Sequence, residues 1–186
     1  MKRLFDVAAS GGALLVLAVP LLVLAGVVRL TSKGPALYWS QRVGRGNALF
    51  AMPKFRTMSI DTPEVATHLL ESPDRWLTPL GGLLRKTSLD ELPQLWSVLV
   101  GEMSLVGPRP ALFNQDDLVA LRTAAGVETL RPGVTGWAQI NGRDEIAITA
   151  KVALDAEYLR RQGFWFDLRI LLATVLPVMT GMGVTR

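Results

Sequence analysis

The longest hydrophobic stretch of the chain is "VAASGGALLVLAVPLLVLAGVV", residues 7–28, which carries no charged side chain. A single helix over this range would be roughly 33 Å long, which is enough to cross a bilayer. Pro20 lies near its middle, where a proline bends a helix. Basic residues flank the stretch on both sides, namely Lys2, Arg3, Arg29 and Lys33.

The flanks and the proline of this stretch leave two membrane topologies open. A spanning helix normally has more lysine and arginine on its cytoplasmic side, and this stretch has almost no such bias. A re-entrant segment bent at Pro20 would return both basic flanks to one anionic membrane surface. Membrane helices also tolerate proline, so the residues alone do not decide. A secretory signal is a further alternative, but the apolar run is long for one.

A second hydrophobic stretch, "FWFDLRILLATVLPVMTGMGV", closes the chain. Its Trp165, Asp167, Arg169 and Pro177 suit a helix that lies in the membrane interface better than one that crosses the bilayer. The alternative is a buried core helix with an aromatic edge.

The region between these stretches has the pattern of a mainly helical α+β domain. The segments "GPALYWSQRVG" and "NALFAMPKFRTM" alternate as strands do, around a glycine-containing turn, and predict a short β-hairpin. The segment "ITAKVALDAEYLRRQG" predicts a solvent-exposed helix. It carries two i,i+4 pairs of opposite charge, Lys151 with Asp155 and Glu157 with Arg161.

Two adjacent acids stand in "RKTSLDELPQL", residues 85–95. Ser88 and Glu91 fit a capping box, in which each side chain satisfies a free N–H at a helix start. Pro93 would then interrupt the helix, whereas a cap at Asp90 puts the proline harmlessly in the first turn. In both cases the acids lie at a helix N-terminus, which favours an ionised carboxylate. These residues alone favour capping over catalysis and leave both open.

Composition narrows the chemistry of the chain. The 186 residues include no cysteine, which excludes disulfides, thiolate nucleophiles and cysteine–zinc sites. His68 is the one imidazole, and its neighbours supply neither a nucleophile nor an orienting acid. The formal charge of +4 suits an anionic membrane, a nucleotide or a nucleic acid without choosing among them.

Several cations stand next to glycine or proline in short loop motifs. Lys54 and Arg56 occur in "PKFRT", Arg109 in "GPRP", Arg131 in "RPGVTG" and Arg143 in "NGRD". Glycine and proline fix the local backbone, and arginine binds phosphate through forked hydrogen bonds. Each arginine alone is an ordinary loop residue, but their repetition around one acidic pair indicates an anion site. No P-loop or G-x-G-x-x-G pattern is present.

Five motifs in order, "KRLFD", "LTSKGPALYWSQRVG", "KFRTM", "TSLDELPQLWSVLVGEMSLVGPRP" and "RPGVTGWAQINGRD", resemble those of the bacterial monotopic phosphoglycosyl transferases, also called bacterial sugar transferases. The resemblance covers almost the whole chain and is closest to the minimal members. It implies a re-entrant membrane anchor over residues 1–30, broken at Pro20. A catalytic domain would follow over residues 31–186, on the cytoplasmic face of the bacterial inner membrane, with interfacial helices at its C-terminal end.

The resemblance also implies the activity and its partners. A UDP-sugar would donate a phosphosugar to the enzyme, UMP would leave, and a polyprenyl phosphate would accept the phosphosugar. Membrane lipid is a further expected partner, nucleic acid is not, and a homodimer is left open. Such a reaction would be the first membrane step in the synthesis of a glycoconjugate.

Site residues follow from matching the motifs position by position. Asp90 would be the nucleophile, and Glu91 would be its acidic partner in binding Mg²⁺, the expected cofactor. Lys54, Arg85, Arg109 and Arg143 match positive positions around the active site. Two positions depart from the expected pattern, Val19 before the proline and Pro53 before Lys54. Pro53 leaves the geometry of its strand open.

Two rival functions remain compatible with the residues. A non-enzymatic membrane adaptor would use the basic loops to bind anionic lipid and the acids only as caps. A Mg²⁺-dependent nucleotidyl transferase would use the same carboxylates but release pyrophosphate. No run of residues identifies the sugar.

Overall fold

A computed structural model describes residues 1–63, 72–142 and 146–180 of the chain. His68 and Arg143 lie outside these residues. The helices are α1 (Lys2–Val16), α2 (Ala18–Thr31), α3 (Gly81–Thr87), α4 (Gln94–Val100), α5 (Asp116–Ala124), α6 (Trp137–Ile140), α7 (Ile148–Arg161) and α8 (Phe164–Thr180). The strands are β1 (Leu37–Val43), β2 (Leu49–Phe55), β3 (Ser104–Val106) and β4 (Gly133–Thr135). The expectation of a mainly helical α+β fold is confirmed.

The predicted hairpin is formed by β1 and β2, which pair antiparallel from Leu37 opposite Phe55 to Val43 opposite Leu49. Gly46 in the connecting turn has a φ of 65°, which glycine adopts without strain. Pro53 lies within β2 opposite Trp39 and leaves the register intact. Proline is tolerated there because both strands of a two-stranded ribbon are edges.

A second pair of strands, β3 and β4, is parallel and was not predicted. Glycines let the chain segments around these strands approach closely. A Cβ on Gly133 would lie 2.1 Å from the backbone nitrogen of Gly107, and a Cβ on Gly136 would lie 2.1 Å from the Gly107 carbonyl oxygen. The motifs "GPRP" and "RPGVTG" therefore pack against each other, which gives their glycines a structural role.

The N-terminal helices α1 and α2 are bent by 63° relative to each other. The break is at Leu17, and Pro20 lies in the first turn of α2, where its missing N–H removes no intrahelical bond. One unbroken helix would instead require the Pro20 nitrogen to bond the Val16 carbonyl, so the proline explains why α1 ends there. Among the described residues no single helix is long and apolar enough to span a bilayer, whereas this bent pair meets the length and composition criteria.

The first residues of α1 are attached to the rest of the chain. Lys2 Nζ lies 2.6 Å from Asp167 Oδ2 and donates to the Val106 carbonyl. Arg3 donates to the carbonyls of Val98 and Leu99 at the end of α4. Protein oxygens thus take several N–H groups of these two flanking cations, and the placement of both basic flanks at one anionic membrane surface stays a prediction.

The far end of the bent pair packs on the same globular body. Val28 of α2 is buried with Phe55 of β2 and Leu84 of α3. Both ends of the apolar segment thus reach one domain, while large apolar residues in between are exposed. These exposed residues include Leu15, Val16, Val19, Leu22 and Val23.

The C-terminal helix α8 combines features of both alternatives. Its Asp167 is buried and accepts a hydrogen bond from the Tyr158 hydroxyl at 2.7 Å, and Ile170 is fully buried. Trp165 is 78% exposed. Asp167 therefore belongs to the core rather than to an interfacial polar face, while the exposed indole leaves the interfacial placement a prediction.

Helix α7 is also more buried than its charge spacing predicts. The Glu157–Arg161 pair is present. Asp155, however, is buried and pairs with Arg122 of α5 at 2.7 Å. The interpretation of Asp155 as part of a solvated face is wrong, because sequence spacing cannot reveal a partner on another helix.

Candidate active site

The acidic pair lies in a 3-10 turn, Leu89–Glu91, directly before α4. Ser88 has left-handed backbone angles and makes no capping hydrogen bond through its side chain. Since a capping residue needs extended backbone angles, the capping-box prediction is wrong. The alternative cap at Asp90 is wrong as well, because α4 begins only at Gln94 with Pro93 before it. The helix-punctuation hypothesis therefore does not account for these two acids.

Glu91 is held between two cations from different parts of the fold. Its Oε1 lies 3.2 Å from Lys54 Nζ, at the end of β2, and 2.8 Å from Arg109 Nη2, in the loop after β3. Its Oε2 lies 3.5 Å from Arg109 Nη1. Three sequence-predicted residues are thus brought together in a partly buried ion cluster.

Asp90 is only 8% exposed, yet its carboxylate accepts no hydrogen bond from the part of the chain that the structure describes. Burial raises the pKa of Asp90 to about 6, with Glu91 adding to the increase and the charges of Lys54, Arg109 and Arg85 opposing it. The expected stabilisation of the ionised form at a helix start is therefore outweighed by desolvation. Asp90 is still mostly ionised at neutral pH, but by a smaller margin.

The neighbouring groups respond to burial differently. Burial alone would raise the pKa of Glu91, but Arg109 and Lys54 outweigh it and hold that pKa far below its usual range. Burial lowers the pKa of Lys54, opposed by Glu91 and reinforced by Arg109 and Arg42. Glu91 is thus a permanent anion, whereas Asp90 is a carboxylate whose charge is only weakly compensated.

The loop that carries Arg109 is fixed from behind by Arg122. Arg122 Nη1 donates to the Arg109 carbonyl at 2.8 Å, and its Nε and Nη2 both donate to Asp155 Oδ2. This buried chain links α7 and α5 to the position of the Arg109 guanidinium. Sequence reasoning missed Arg122, which looks like an ordinary basic residue in the last turn of a helix.

Two further cations complete the surroundings of the acids. Arg85, in the last turn of α3, carries a charge that lowers the pKa of Asp90, as expected for a site cation. Arg42, which sequence reasoning missed, lowers the pKa of Lys54 and donates to the Pro110 carbonyl. The alternation of side chains along the strands could have indicated Arg42, because it places Arg42 and Lys54 on the hairpin face that also carries Tyr38.

The remaining predicted cations are not joined to this cluster by any contact in the described ranges. Arg56 donates to the Pro35 carbonyl and lies 6.0 Å from the Tyr38 ring centroid. Arg131 donates through Nε to the Gly101 carbonyl, beyond the opposite end of α4 from Asp90. The structure therefore does not bring Arg131 to the acidic pair, because β4 pairs with β3 and carries the preceding loop toward α1. A substrate-binding role for Arg131 stays a prediction. Arg143 lies outside the described residues.

The carboxylate oxygens of Asp90 and Glu91 fit a magnesium ion on the condition that phosphate oxygens also bind it. Magnesium is commonly held by one or two carboxylates together with substrate phosphate oxygens. Asp90 has uncommitted oxygens, and Glu91 offers Oε2, since its Oε1 is shared by two cations. No group of three or more His, Cys, Asp or Glu residues suited to a metal occurs among the residues described. The ion would therefore need phosphate oxygens as further ligands.

Comparison with known proteins gives a consistent result. The sequence profile of the family described as bacterial sugar transferase matches residues 1–181. An uncharacterized sugar transferase, EpsL, of Bacillus subtilis is 42% identical over the full chain, which spans 91% of that protein. A UDP-glucose:undecaprenyl-phosphate glucose-1-phosphate transferase of Caulobacter vibrioides is 41% identical over 96% of the chain and 70% of its own length.

A third relative is much longer than this chain. The undecaprenyl-phosphate galactose phosphotransferase of Salmonella typhimurium is 36% identical over 96% of the chain, which spans only 40% of that protein. The profile and these relatives define the chain as a phosphoglycosyl transferase. The chain belongs to the bacterial sugar transferase family.

Proposed function

We propose that the protein transfers a phosphosugar from a UDP-sugar to a polyprenyl phosphate in the membrane, with release of UMP and a covalent intermediate on Asp90. One observation carries the proposal: Asp90 is a buried carboxylate, with four charged side chains acting on its pKa, that accepts no hydrogen bond from any described residue. A structural acid in such a place normally has a partner. An uncommitted carboxylate is suited to attack on phosphorus.

The reaction balances without any redox partner. An Asp90 oxygen attacks the β-phosphorus of the UDP-sugar and forms a P–O bond, while the bond to the bridging oxygen breaks and UMP leaves with the electron pair. A phosphate oxygen of the polyprenyl phosphate then attacks the same phosphorus. The carboxylate of Asp90 departs, and the product carries a diphosphate between polyprenyl and sugar.

The cations have separate tasks in this scheme. Glu91 holds Arg109 at 2.8 Å and Lys54 at 3.2 Å, and both cations act on Asp90, so they are placed to bind phosphate oxygens beside the nucleophile. Glu91 thus positions two cations, and Asp90 supplies the reacting oxygen. A magnesium ion held by Asp90, by Oε2 of Glu91 and by phosphate oxygens would add neutralisation of the diphosphate charge.

The bent pair α1–α2 is proposed to be a re-entrant anchor in the cytoplasmic leaflet of the bacterial inner membrane. Support comes from its 63° bend, its exposed apolar residues and the attachment of both its ends to one globular body. A cysteine inserted after Met1 and one replacing Lys33 should both resist an impermeant thiol reagent in intact cells and react after lysis. Reaction of one of them from outside would show a spanning helix.

The central experiment looks for the intermediate. Purified protein is incubated with magnesium and a UDP-sugar that is radiolabelled in the sugar, without acceptor, and is then separated from free nucleotide. We expect label on the protein, UMP in equal amount, and loss of the label when polyprenyl phosphate is added. Label that stays absent while turnover with both substrates proceeds would exclude the covalent route.

The same experiment separates the rival functions and the sugars. A membrane adaptor would release no UMP, and a nucleotidyl transferase would release pyrophosphate. The names of two relatives specify glucose and galactose. UDP-glucose and UDP-galactose therefore head the panel of donors.

A further inference from the structure

A second group of cations surrounds a cleft with a volume of about 190 Å³ at the N-terminal end of α1. The lining combines residues from five parts of the chain. Its cations are Lys2, Arg3, Arg45 and Arg131. Its other polar residues include Asp6, Ser104, Thr129, Tyr158 and Gln162. The cleft is distinct from the Asp90 site and plays no part in the chemistry proposed above.

The cations of this cleft outnumber its acids. Asp6 lines it but is buried and already accepts hydrogen bonds from the Ser104 hydroxyl and the Leu105 nitrogen. Asp167, which bonds Lys2, also accepts the Tyr158 hydroxyl. Four cations against two committed carboxylates leave a net charge of about +2 around the cavity.

Several donor groups remain unused within the cleft. Within the described ranges Arg131 is fixed through Nε alone, by the Gly101 carbonyl, and no described residue accepts from the two terminal nitrogens of its guanidinium. Arg3 is fixed by the carbonyls that end α4 and still has its Nε. Arg45 is exposed in the hairpin turn. Guanidinium groups fixed on one edge with donors to spare form an anion site, and phosphate is the ligand that forked donors match best.

The cleft is far from the acidic pair. Arg3 binds carbonyls at the C-terminal end of α4, whereas Asp90 lies before its N-terminal end. The seven residues of α4 alone separate the two by roughly 10 Å. One phosphate cannot reach both sites, so the cleft is separate from the proposed UDP-sugar site at Asp90.

The surroundings of the cleft are apolar and exposed. Leu4, in the same turn as Lys2 and Arg3, is 75% exposed, and Trp165 at the start of α8 is 78% exposed. Phe164 is half exposed and packs edge-on against Phe5. A cationic cleft bordered by exposed aromatic and aliphatic side chains has the character of a site at the membrane surface.

We infer that this cleft binds the phosphate group of an anionic membrane phospholipid, with the acyl chains lying against Leu4, Phe164 and the exposed face of α1. The inference depends on the proposed membrane placement of α1 and α2 but not on the proposed reaction. Bound in this way, the lipid would connect α1, the hairpin turn and α8 at the level of the headgroups.

The test measures lipid retention rather than turnover. The full chain is purified in a neutral detergent, mixed with equal amounts of phosphatidylglycerol and phosphatidylcholine, and examined by native mass spectrometry. We expect one phosphatidylglycerol to be retained in preference to phosphatidylcholine. Arg45→Gln and Arg131→Lys should each weaken retention roughly tenfold, since one charge-assisted hydrogen bond is removed or misplaced. Arg45 is exposed, so Arg45→Gln should fold normally. It therefore tests the cleft even if Arg131→Lys does not fold.

Arg29→Gln is the matched control, because Arg29 is an exposed arginine at the end of α2 and lies outside the cleft. An equal loss in Arg29→Gln would show general surface attraction and overturn the cleft. Unchanged retention in both cleft variants would overturn it too. Displacement of the lipid by inorganic phosphate at a similar concentration would assign the cleft to free phosphate and overturn the lipid. Because no turnover is measured, an inactive enzyme leaves the test intact.

Discussion

Two buried acids of this chain, Asp155 and Asp90, differ in what surrounds their carboxylates. Asp155 is paired with Arg122, which places two N–H groups on one carboxylate oxygen. Asp90 is nearly as buried and is surrounded by cations, yet no described residue donates a hydrogen bond to it. Burial raises the pKa of both acids, with the Arg122 charge opposing the rise in one and Lys54 in the other.

The difference distinguishes a buried acid with a structural role, Asp155, from a buried acid whose oxygens are available to react, Asp90. A paired acid fixes two helices and has no free lone pair in the right direction, so it contributes to the fold. An unpaired acid costs stability and persists only where that cost serves another purpose. Cations are present close to Asp90, but Lys54 and Arg109 both form their ion pairs with the neighbouring Glu91.

The largest expected effect is the loss of chemistry in Asp90→Asn. The amide keeps the shape of the side chain but is not a nucleophile, so turnover should fall by at least about a thousandfold and no label should remain on the protein. Glu91→Gln is the companion variant, and it should form the adduct slowly because it loosens Lys54 and Arg109. Near-normal turnover by Asp90→Asn would end the nucleophile assignment.

The next effect is on folding, in Asp155→Ala. Removal of one partner of a buried pair leaves Arg122 charged and unpaired, which typically costs about 3 to 5 kcal/mol. Thermal unfolding in detergent measures the loss, and folded protein below the transition should still take up label at Asp90. If this variant unfolds no earlier than wild type, the structural role given to the pair is wrong.

A smaller effect is expected in Arg109→Lys. The charge is kept, but the fork that contacts both oxygens of Glu91 is lost. A charge-assisted hydrogen bond from Arg109 to phosphate is typically worth about 1.5 to 3 kcal/mol. If this bond forms in the transition state, the turnover rate should fall roughly ten- to a hundredfold.

Arg75→Lys serves as its control, since Arg75 is exposed in a separate turn. Arg143→Lys extends the series to a residue beyond the described ranges. Normal adduct formation with slow transfer to the acceptor assigns an arginine to the second half-reaction. Slow adduct formation assigns the arginine to the first half-reaction. Unchanged kinetics in both Arg109→Lys and Arg143→Lys would show that these two arginines are ordinary loop residues.

The last effect concerns the pH dependence of stability. Folded Asp90 has a pKa raised to about 6, whereas the unfolded carboxyl titrates near 3.8. Between these values the folded state binds more protons, so the contribution of Asp90 to stability falls as pH rises and reaches its full cost above pH 6. This cost is roughly 3 kcal/mol.

Asp90→Asn removes this cost, so it should unfold at a higher temperature than wild type at pH 7 and at nearly the same temperature at pH 4. Adduct formation by the wild type should decline as pH falls below about 6, since protonation removes the nucleophile. Equal unfolding temperatures at both pH values would contradict the buried, uncompensated carboxylate.

The sequence predicted those features whose causes are local. The hairpin followed from alternation and a turn glycine, and the bend at Leu17 from Pro20, because both causes lie within a few residues of their effects. The cap at Ser88 failed because tertiary packing imposes left-handed angles that no neighbouring residue signals. The strands β3 and β4 are three residues long, which is too short for any periodicity to show.

The candidate site was predictable in its acids but not in all its cations. The structure places Lys54, Arg85 and Arg109 around the acidic pair, whereas Arg131 lies beyond the opposite end of α4. The direction of a loop arginine depends on how distant segments pack, as the contact between Gly107 and Gly133 illustrates. Arg122 acts through a carbonyl on another segment, and nothing in the sequence marks such a contact.

The attachment of Lys2 to Asp167 also has a consequence for the order of events during synthesis. The two residues are 165 positions apart, so Lys2 waits for the synthesis of the residues up to Asp167 before it can bind that carboxylate. At about 5 to 20 residues per second this interval is roughly 8 to 33 s. In the proposed re-entrant placement, the apolar pair α1–α2 therefore meets the bilayer while its polar attachments are still unmade. Its bend, and with it the side of the membrane on which the enzyme works, has to be set by α1 and α2 alone.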